Sequence, residues 1–458
     1  MVENLELSAK KYKKIDFFTD NRVDARIMKR KISEHLIAWK NRNGRKPLIV
    51  NGARQIGKTH SISEFGKSEF ASVVTVNLEQ NAPARAIFDG DIAPSVLIPL
   101  LEAQTNQRIK PGETLLFLDE IQACERALTS LKYFCEMAPE YHVVAAGSLL
   151  GVALNRGQFS FPVGKVNELH LHPFDFEEYL WAFDRGQLAA TIRACFAENK
   201  PLDAPLHALA LEYYKKYLVT GGMPAAVKAL VETGSYLEVA GVQSAIHNDY
   251  IADMAKYAGK TAGVKIRACY NSIPAQLAKE NRKFQYKVVQ NGGSAAVFGE
   301  SIEWLNFAGI VLKCQRITQG EIPLAVHSHL PDFKLYMADT GMLAMKSQIP
   351  VSLLLAENNE SNTFLGAFTE NYVAQALAAS GKSLWYWRND NQAEVDFVLQ
   401  LDGGVVPVEV KRGLNTRSRS LLSFARQYNC PGAIRISQKN LGLENGIKSV
   451  PLYAVFCI

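Results

Sequence analysis

Gly52, Gly57, Lys58 and Thr59 lie in the run LIVNGARQIGKTH (48–60) at the spacing G-x-x-x-x-G-K-[ST], a pattern suited to binding phosphate. Glycines let backbone N–H groups curl around phosphate oxygens at a helix N-terminus. The lysine reaches the β- and γ-phosphates, and the hydroxyl after it ligates Mg²⁺. On this reading Gly52, Gln55, Gly57, Lys58, Thr59 and His60 hold ATP. At ordinary residue frequencies such a match arises by chance in roughly 2% of chains this long. A second group follows in TLLFLDEIQ (114–122): Asp119 is the expected Mg²⁺ partner and Glu120 the expected general base toward the attacking water. A third apolar run, YHVVAAGS, ends at Ser148, where a polar side chain would face the γ-phosphate, and Arg156 or Lys165 would serve as a charge-stabilising finger.

These groups need a scaffold that brings strand ends to one edge. PLIV reads as a short buried strand and THSISEFGKSEF as the helix that opens after the loop. Strand–helix alternation continues from Pro47 to about Leu171, which predicts a parallel sheet with helices on both faces. The 458 residues, 48% of them apolar, exceed one ordinary core and predict two to four domains. A net charge of +6 permits nucleic acid without demanding it. Seven scattered cysteines without a CxxC predict reduced thiols, neither a disulfide framework nor a zinc site. No run of eighteen apolar residues occurs, and charges fill the start of the chain where a signal peptide needs apolar residues, so a cytoplasmic protein without membrane contact is expected.

A second chemistry is written near the end of the chain. Glu409 and Lys411 share one face of a strand, in VVPVEVKR. A two-residue turn at Asp402-Gly403 would set Asp396 opposite Glu409, and one at Gly403-Gly404 would set it opposite Lys411. Glu370 lies on the preceding helical run TFLGAFTENYVAQALAAS, which leads into a meander of SLWYWR, AEVDFVLQL and VVPVEVKR. Two carboxylates beside a lysine, with a third acid from the helix, suit one or two divalent metals and an activated water. Arg412, Arg417, Arg419 and Arg426 follow and offer contacts to a phosphate backbone.

Between these parts, Asp184 to about Thr318 reads as helical, with GGMPAAV (221–227) as a tight break. Two amphipathic helices flank a basic turn whose Lys279, Arg282, Lys283 and Lys287 could meet DNA phosphates, while Phe284 and Tyr286 read as core. Near the start, Ile27, Ile32, Leu36 and Trp39 give the basic segment ARIMKRKISEHLIAWKNRNGRK a helical period, read as a surface helix packed on the core.

In this order NGARQIGKTH, LLFLDEIQ, AAGSLLG, SFPVGKVNELHLHPFDFEEYL, LVTGGMPAAV, MADTGMLA, FTENYVAQAL and AEVDFVLQLDGGVVPVEVKRG resemble a family of prokaryotic AAA-type ATPases related to the archaeal ATPases, bearing a nuclease-like C-terminal domain. That family more often has proline at Ala53 and Thr or Ser at His60, neither a carrier of phosphate chemistry. The resemblance implies a winged-helix-like middle. The C-terminal pattern resembles the PD-(D/E)XK nuclease site, which implies Mg²⁺ or Mn²⁺ on Asp396 and Glu409, a water positioned by Lys411, and Glu370 as an orienting group.

The expectation is therefore an α/β protein. Its parts are a basic helical segment (1–45), a parallel-sheet P-loop ATPase core (46–183), a helical and winged-helix-like region (184–330) and an α/β nuclease-like domain (331–458). Either ATP hydrolysis drives DNA binding or cleavage, or the chain is a signalling switch whose nuclease-like domain docks a protein partner. A homo-oligomer is compatible with both.

Overall fold

The computed structural model describes residues 28–148, 161–280, 282–356, 363–389, 393–413 and 419–458. Arg156, Arg417, Ile27 and the rest of the first 27 residues lie outside them.

Five strands form the first sheet: β1 (Leu48–Asn51), β2 (Ser72–Asn77), β3 (Thr114–Asp119), β4 (His142–Gly147) and β5 (Asn167–His170). Their order is β2-β3-β4-β1-β5, and every pairing is parallel. The strands read as continuous apolar runs because both faces are covered. Leu48 and Val50 join one core with Leu115, Phe117, Val144 and Ala146, while Ile49 joins Leu116, Leu118, Val143 and Ala145 in the other. β4 sits between β1 and β3, with Asn51 beside Gly147 and Leu118 beside Ala145. The phosphate loop, Ser148 and Asp119 therefore emerge at one edge. This sheet is the fold expected for residues 46–183.

Among the described residues from Phe176 to Phe307 no strand is formed, and helices dominate. Around the basic turn, helix Lys260–Leu277 ends before it and a single-turn helix Tyr286–Val289 follows it. After helix Ala295–Phe307 come β6 (Val311–Ile317) and β7 (Ser328–Met337), an antiparallel pair that crosses residue 330. Phe284 stacks on Phe333 at 5.3 Å between centroids and is core as expected, while Tyr286 is half-buried and packs against that core.

The C-terminal meander is also divided. β8 (Trp385–Arg388) pairs parallel with β6 on one side and antiparallel with β9 (Glu394–Val395) on the other, giving the order β7-β6-β8-β9, and does not join the strands after Asp396. β10 (Phe397–Leu401) and β11 (Gly404–Val410) open a third sheet with β12 (Ala433–Ser437), β13 (Gly442–Glu444) and β14 (Ile447–Pro451), ordered β10-β11-β12-β14-β13. One apolar run thus changes sheet at Asp396.

A hydrogen-bonded knot ties the three parts. Phe174, just past β5, donates its N–H to the Gly222 carbonyl at 2.7 Å. Gly222 donates its own N–H to Asp339 Oδ2 at 2.6 Å. Gln375, on helix Thr363–Ala379, donates to the hydroxyl of Tyr217 at 2.8 Å. A Cβ on Gly222 would stand 2.0 Å from the Phe174 carbonyl oxygen, which explains the glycine.

Burial raises the Asp339 carboxyl from 3.8 to about 6, while Gly222 and Met342 N–H groups oppose the rise. A raised carboxyl favours the protonated folded state, so its contribution is present below pH 4 and lost as pH climbs through 6. Asp339→Asn should therefore gain on wild type by roughly 2 kcal/mol between pH 4 and pH 7, measured as the difference in unfolding free energy. A constant difference across that window would refute this.

Candidate nucleotide site

The loop after β1 is shaped by its neighbours. Gly52 has φ 142°, and a Cβ there would meet the Leu171 carbonyl oxygen at 2.3 Å. Gly57 caps helix Lys58–Glu69 at φ 89°, so successive N–H groups turn inward as anion binding requires. Lys58 is buried and donates to the carbonyls of Gly52 at 2.9 Å and Ala53 at 2.7 Å. Burial pulls its amine down to about 8, against the pull of Glu120 and Asp119. Thr59 Oγ1 donates to Asp119 Oδ2 at 3.1 Å. The hydroxyl and the carboxylate expected to share Mg²⁺ thus already stand together, and this donor pair fits the ion. Burial first, and then Glu120, raises the Asp119 carboxyl. Glu120 stands in the left-handed region at φ 52° and accepts from Gln122 Nε2 at 2.6 Å. Ser148 is buried at the end of β4, while Gln55, Thr59 and His60 are exposed along the rim. Lys165 pairs with Glu136 at 2.9 Å and is engaged away from the loop.

Sequence reading missed the supports on either side. Arg30 is buried, donating to Glu178 at 3.0 Å, to the Ile56 carbonyl at 2.9 Å and to the His172 carbonyl at 2.7 Å. It braces the loop from behind. From the front comes helix Tyr236–Ala258, whose Asp253 pairs with Arg54 at 2.6 Å and whose Asp249 accepts from Gln55. One turn on, Lys256 pairs with Glu79 and Tyr257 donates to Glu79 at 2.9 Å. The four-residue spacing of Asp249 and Asp253 was the available signal, since i and i+4 share a helix face.

The C-terminal residues are brought together in part. The turn is Asp402-Gly403, with φ 47° and 77° and Leu401 paired to Gly404. Extending the Phe397–Val408 register by one residue sets Asp396 opposite Glu409. Asp396 Oδ2 accepts the Val410 N–H at 2.8 Å, and Glu409 Oε1 pairs with Lys411 at 2.7 Å, leaving its buried Oε2 without a partner. Glu370 is elsewhere engaged. It is 1% exposed and pairs with Lys334 at 2.9 Å, with Arg282 and with the Tyr336 hydroxyl. Lys334, fully buried, also meets Glu394 at 2.6 Å. Among the described residues no group of three or more His, Cys, Asp or Glu is arranged to hold a metal. The donor set that remains does not make a metal cage.

The basic turn is likewise largely occupied. Arg282 serves Glu370, Lys283 pairs with Asp332, and Lys279 donates to Gln285 at 3.0 Å. Lys287 alone of the four is exposed.

Comparison with known proteins agrees with the first sheet. An AAA domain model matches residues 44–180; two models described as domains of unknown function, DUF8612 and DUF4143, match 211–352 and 365–455. Uncharacterised proteins of Mycobacterium bovis and Mycobacterium tuberculosis are 38% identical over 81 residues, covering 17% of this chain and 18% of theirs. The chain thus aligns with less than a fifth of those relatives. A Walker-type ATPase of Pyrococcus abyssi superposes with a TM-score of 0.42 at 13% identity, over 70% of this chain and 96% of that one. The ORC2 protein of Aeropyrum pernix gives 0.32 at 15% identity, over 74% and 93%. Residues 44–180 are an AAA-type P-loop domain on the family match and their own geometry.

Removing one side of a buried ion pair strands the other. Lys334→Met should cost about 3–5 kcal/mol in denaturant unfolding; a loss below about 1 kcal/mol would show that Glu370 and Glu394 do not depend on it.

Proposed function

We propose that the chain binds ATP and hydrolyses it with Mg²⁺, and that its helical and C-terminal parts respond to the nucleotide. The observation that supports this is the convergence of Lys58, the Thr59–Asp119 pair and Glu120 at one sheet edge. Lys58 would release the Gly52 and Ala53 carbonyls to meet the β- and γ-phosphates. Thr59 and Asp119 would hold Mg²⁺, which neutralises phosphate charge when bound. Glu120, freed from Gln122, accepts a proton from the water that adds to the γ-phosphorus. The bond from that phosphorus to the bridging oxygen breaks, leaving ADP and phosphate. Ser148 faces the same edge.

For the distal parts, the switch reading is better supported than a nuclease. Glu370 is neutralised by cations, and three cations of the basic turn serve internal partners. The order of three helices followed by the β6–β7 pair is that of a winged helix, but its last helix, Ala295–Phe307, carries Glu300 and Glu303 and no Lys or Arg, a poor match for phosphates. One observation favours action on DNA: the unpartnered Oε2 of Glu409 opposite Asp396. Nuclease-like folds also persist as binding modules.

Lys58→Ala should abolish ATP binding without unfolding the protein, and Glu120→Gln should keep ATP bound while slowing turnover at least about 100-fold. Unchanged hydrolysis in either removes that residue from its role. In the same preparation, supercoiled DNA with Mg²⁺ or Mn²⁺ should remain uncut; cutting that is lost in Lys411→Ala would instead establish the nuclease.

A further inference from the structure

We propose that Arg54, inside the phosphate loop, is the cation that this chain itself places on the γ-phosphate, and that Asp253 holds it aside until ATP arrives. The inference rests on the ATP reading above and adds to it a residue and a trigger.

Four observations converge. Arg54 is two residues beyond Gly52, so its backbone is part of the cradle itself, and its carbonyl accepts from the Tyr250 hydroxyl at 3.3 Å. Its guanidinium is partly exposed and pairs with Asp253 at 2.6 Å. That carboxylate is buried on a helix from outside the AAA domain. Arg54 also lies within electrostatic reach of Glu120 and Glu79 and of Lys58, and the ATP reading above puts Lys58 and Glu120 at the γ-phosphate. The acids facing it are thus Asp253, Glu120 and Glu79, an arrangement that keeps a guanidinium at the site before any phosphate is present. A phosphate oxygen competes for that guanidinium with the same forked geometry as a carboxylate. Arg54 moving from Asp253 to the γ-phosphate would stabilise the charge that grows there in the transition state and would release the helix. ADP has no γ-phosphate and leaves the Arg54–Asp253 pair intact.

The pair also explains why the clamp has two rungs. Gln55 on Asp249 and Arg54 on Asp253 come from adjacent loop residues and from one helix face. Only the second rung carries a cation that ATP can claim.

The test uses the full chain and four variants: Lys58→Ala, Arg54→Ala, Arg54→Lys and Asp253→Asn. Affinities for ATP and ADP, steady-state hydrolysis and thermal melting are measured for each. Arg54→Ala should lower kcat about 100-fold, leave ADP affinity within about threefold, and bring the ATP:ADP affinity ratio toward one. Arg54→Lys, which keeps the charge and loses the fork, should recover part of kcat. Asp253→Asn should tighten ATP over ADP, because the competitor is removed. If Arg54→Ala keeps its kcat and its ATP:ADP ratio while Lys58→Ala loses ATP, the nucleotide site stands and Arg54 is excluded. If Arg54→Ala and Asp253→Asn lose activity and melting temperature equally, the pair is a structural link and the proposal fails. If Lys58→Ala still binds ATP, the reading of the site itself fails.

Discussion

The Asp339 carboxylate, buried where Gly222, Met342 and Gln375 converge, is the contact on which the architecture depends. A buried acid is tolerable only when N–H groups solvate it, and here those groups come from separate stretches of chain. Gly222 brings the break between helices Ala204–Thr220 and Pro224–Thr233. Met342 opens helix Thr340–Ser347, and Gln375 belongs to the C-terminal helix. Through Phe174 the same knot reaches the end of β5, and so the AAA sheet. The three parts, which also share one continuous hydrophobic core, are registered there at a few ångströms.

That registration makes the clamp helix consequential. Tyr236–Ala258 is the second helix after Gly222, and its far half carries Asp249, Asp253, Lys256 and Tyr257 onto the phosphate loop and Glu79. Its Gln243 donates to the carbonyls of Val219 and Thr220, beside the glycine break. The loop side and the knot side of one helix are thus rigidly related. A change in loop charge on nucleotide binding acts on this helix by way of Arg54 and Gln55, without any need for the sheet to deform.

The nucleotide site was legible in the sequence because its chemistry is local. Gly52, Gly57, Lys58 and Thr59 are set by spacing, and Asp119 by the strand it ends. The C-terminal turn was legible to within one register, since Asp402-Gly403 and Gly403-Gly404 are both acceptable turn pairs; the structure selects the first. What was not legible is tertiary. Arg30 reads as one more cation in a basic segment until it is found under the loop. Lys283 and Arg282 read as a phosphate-binding surface until Asp332 and Glu370 are found against them. Trp385–Arg388 has the pattern of any strand, and nothing local tells it to join β6 in a sheet apart from β10 and β11. The change of sheet at Asp396 is invisible for the same reason: apolar alternation continues across it.

The central claim is that nucleotide state at the loop is felt across the clamp helix and the sheet that contains β6 and β7. Hydrogen exchange of the full chain, alone and with a non-hydrolysable ATP analogue, tests it most directly. The account predicts protection in residues 52–60 together with altered exchange in 236–258 and in 311–337. Changes confined to residues 44–180 would contradict it.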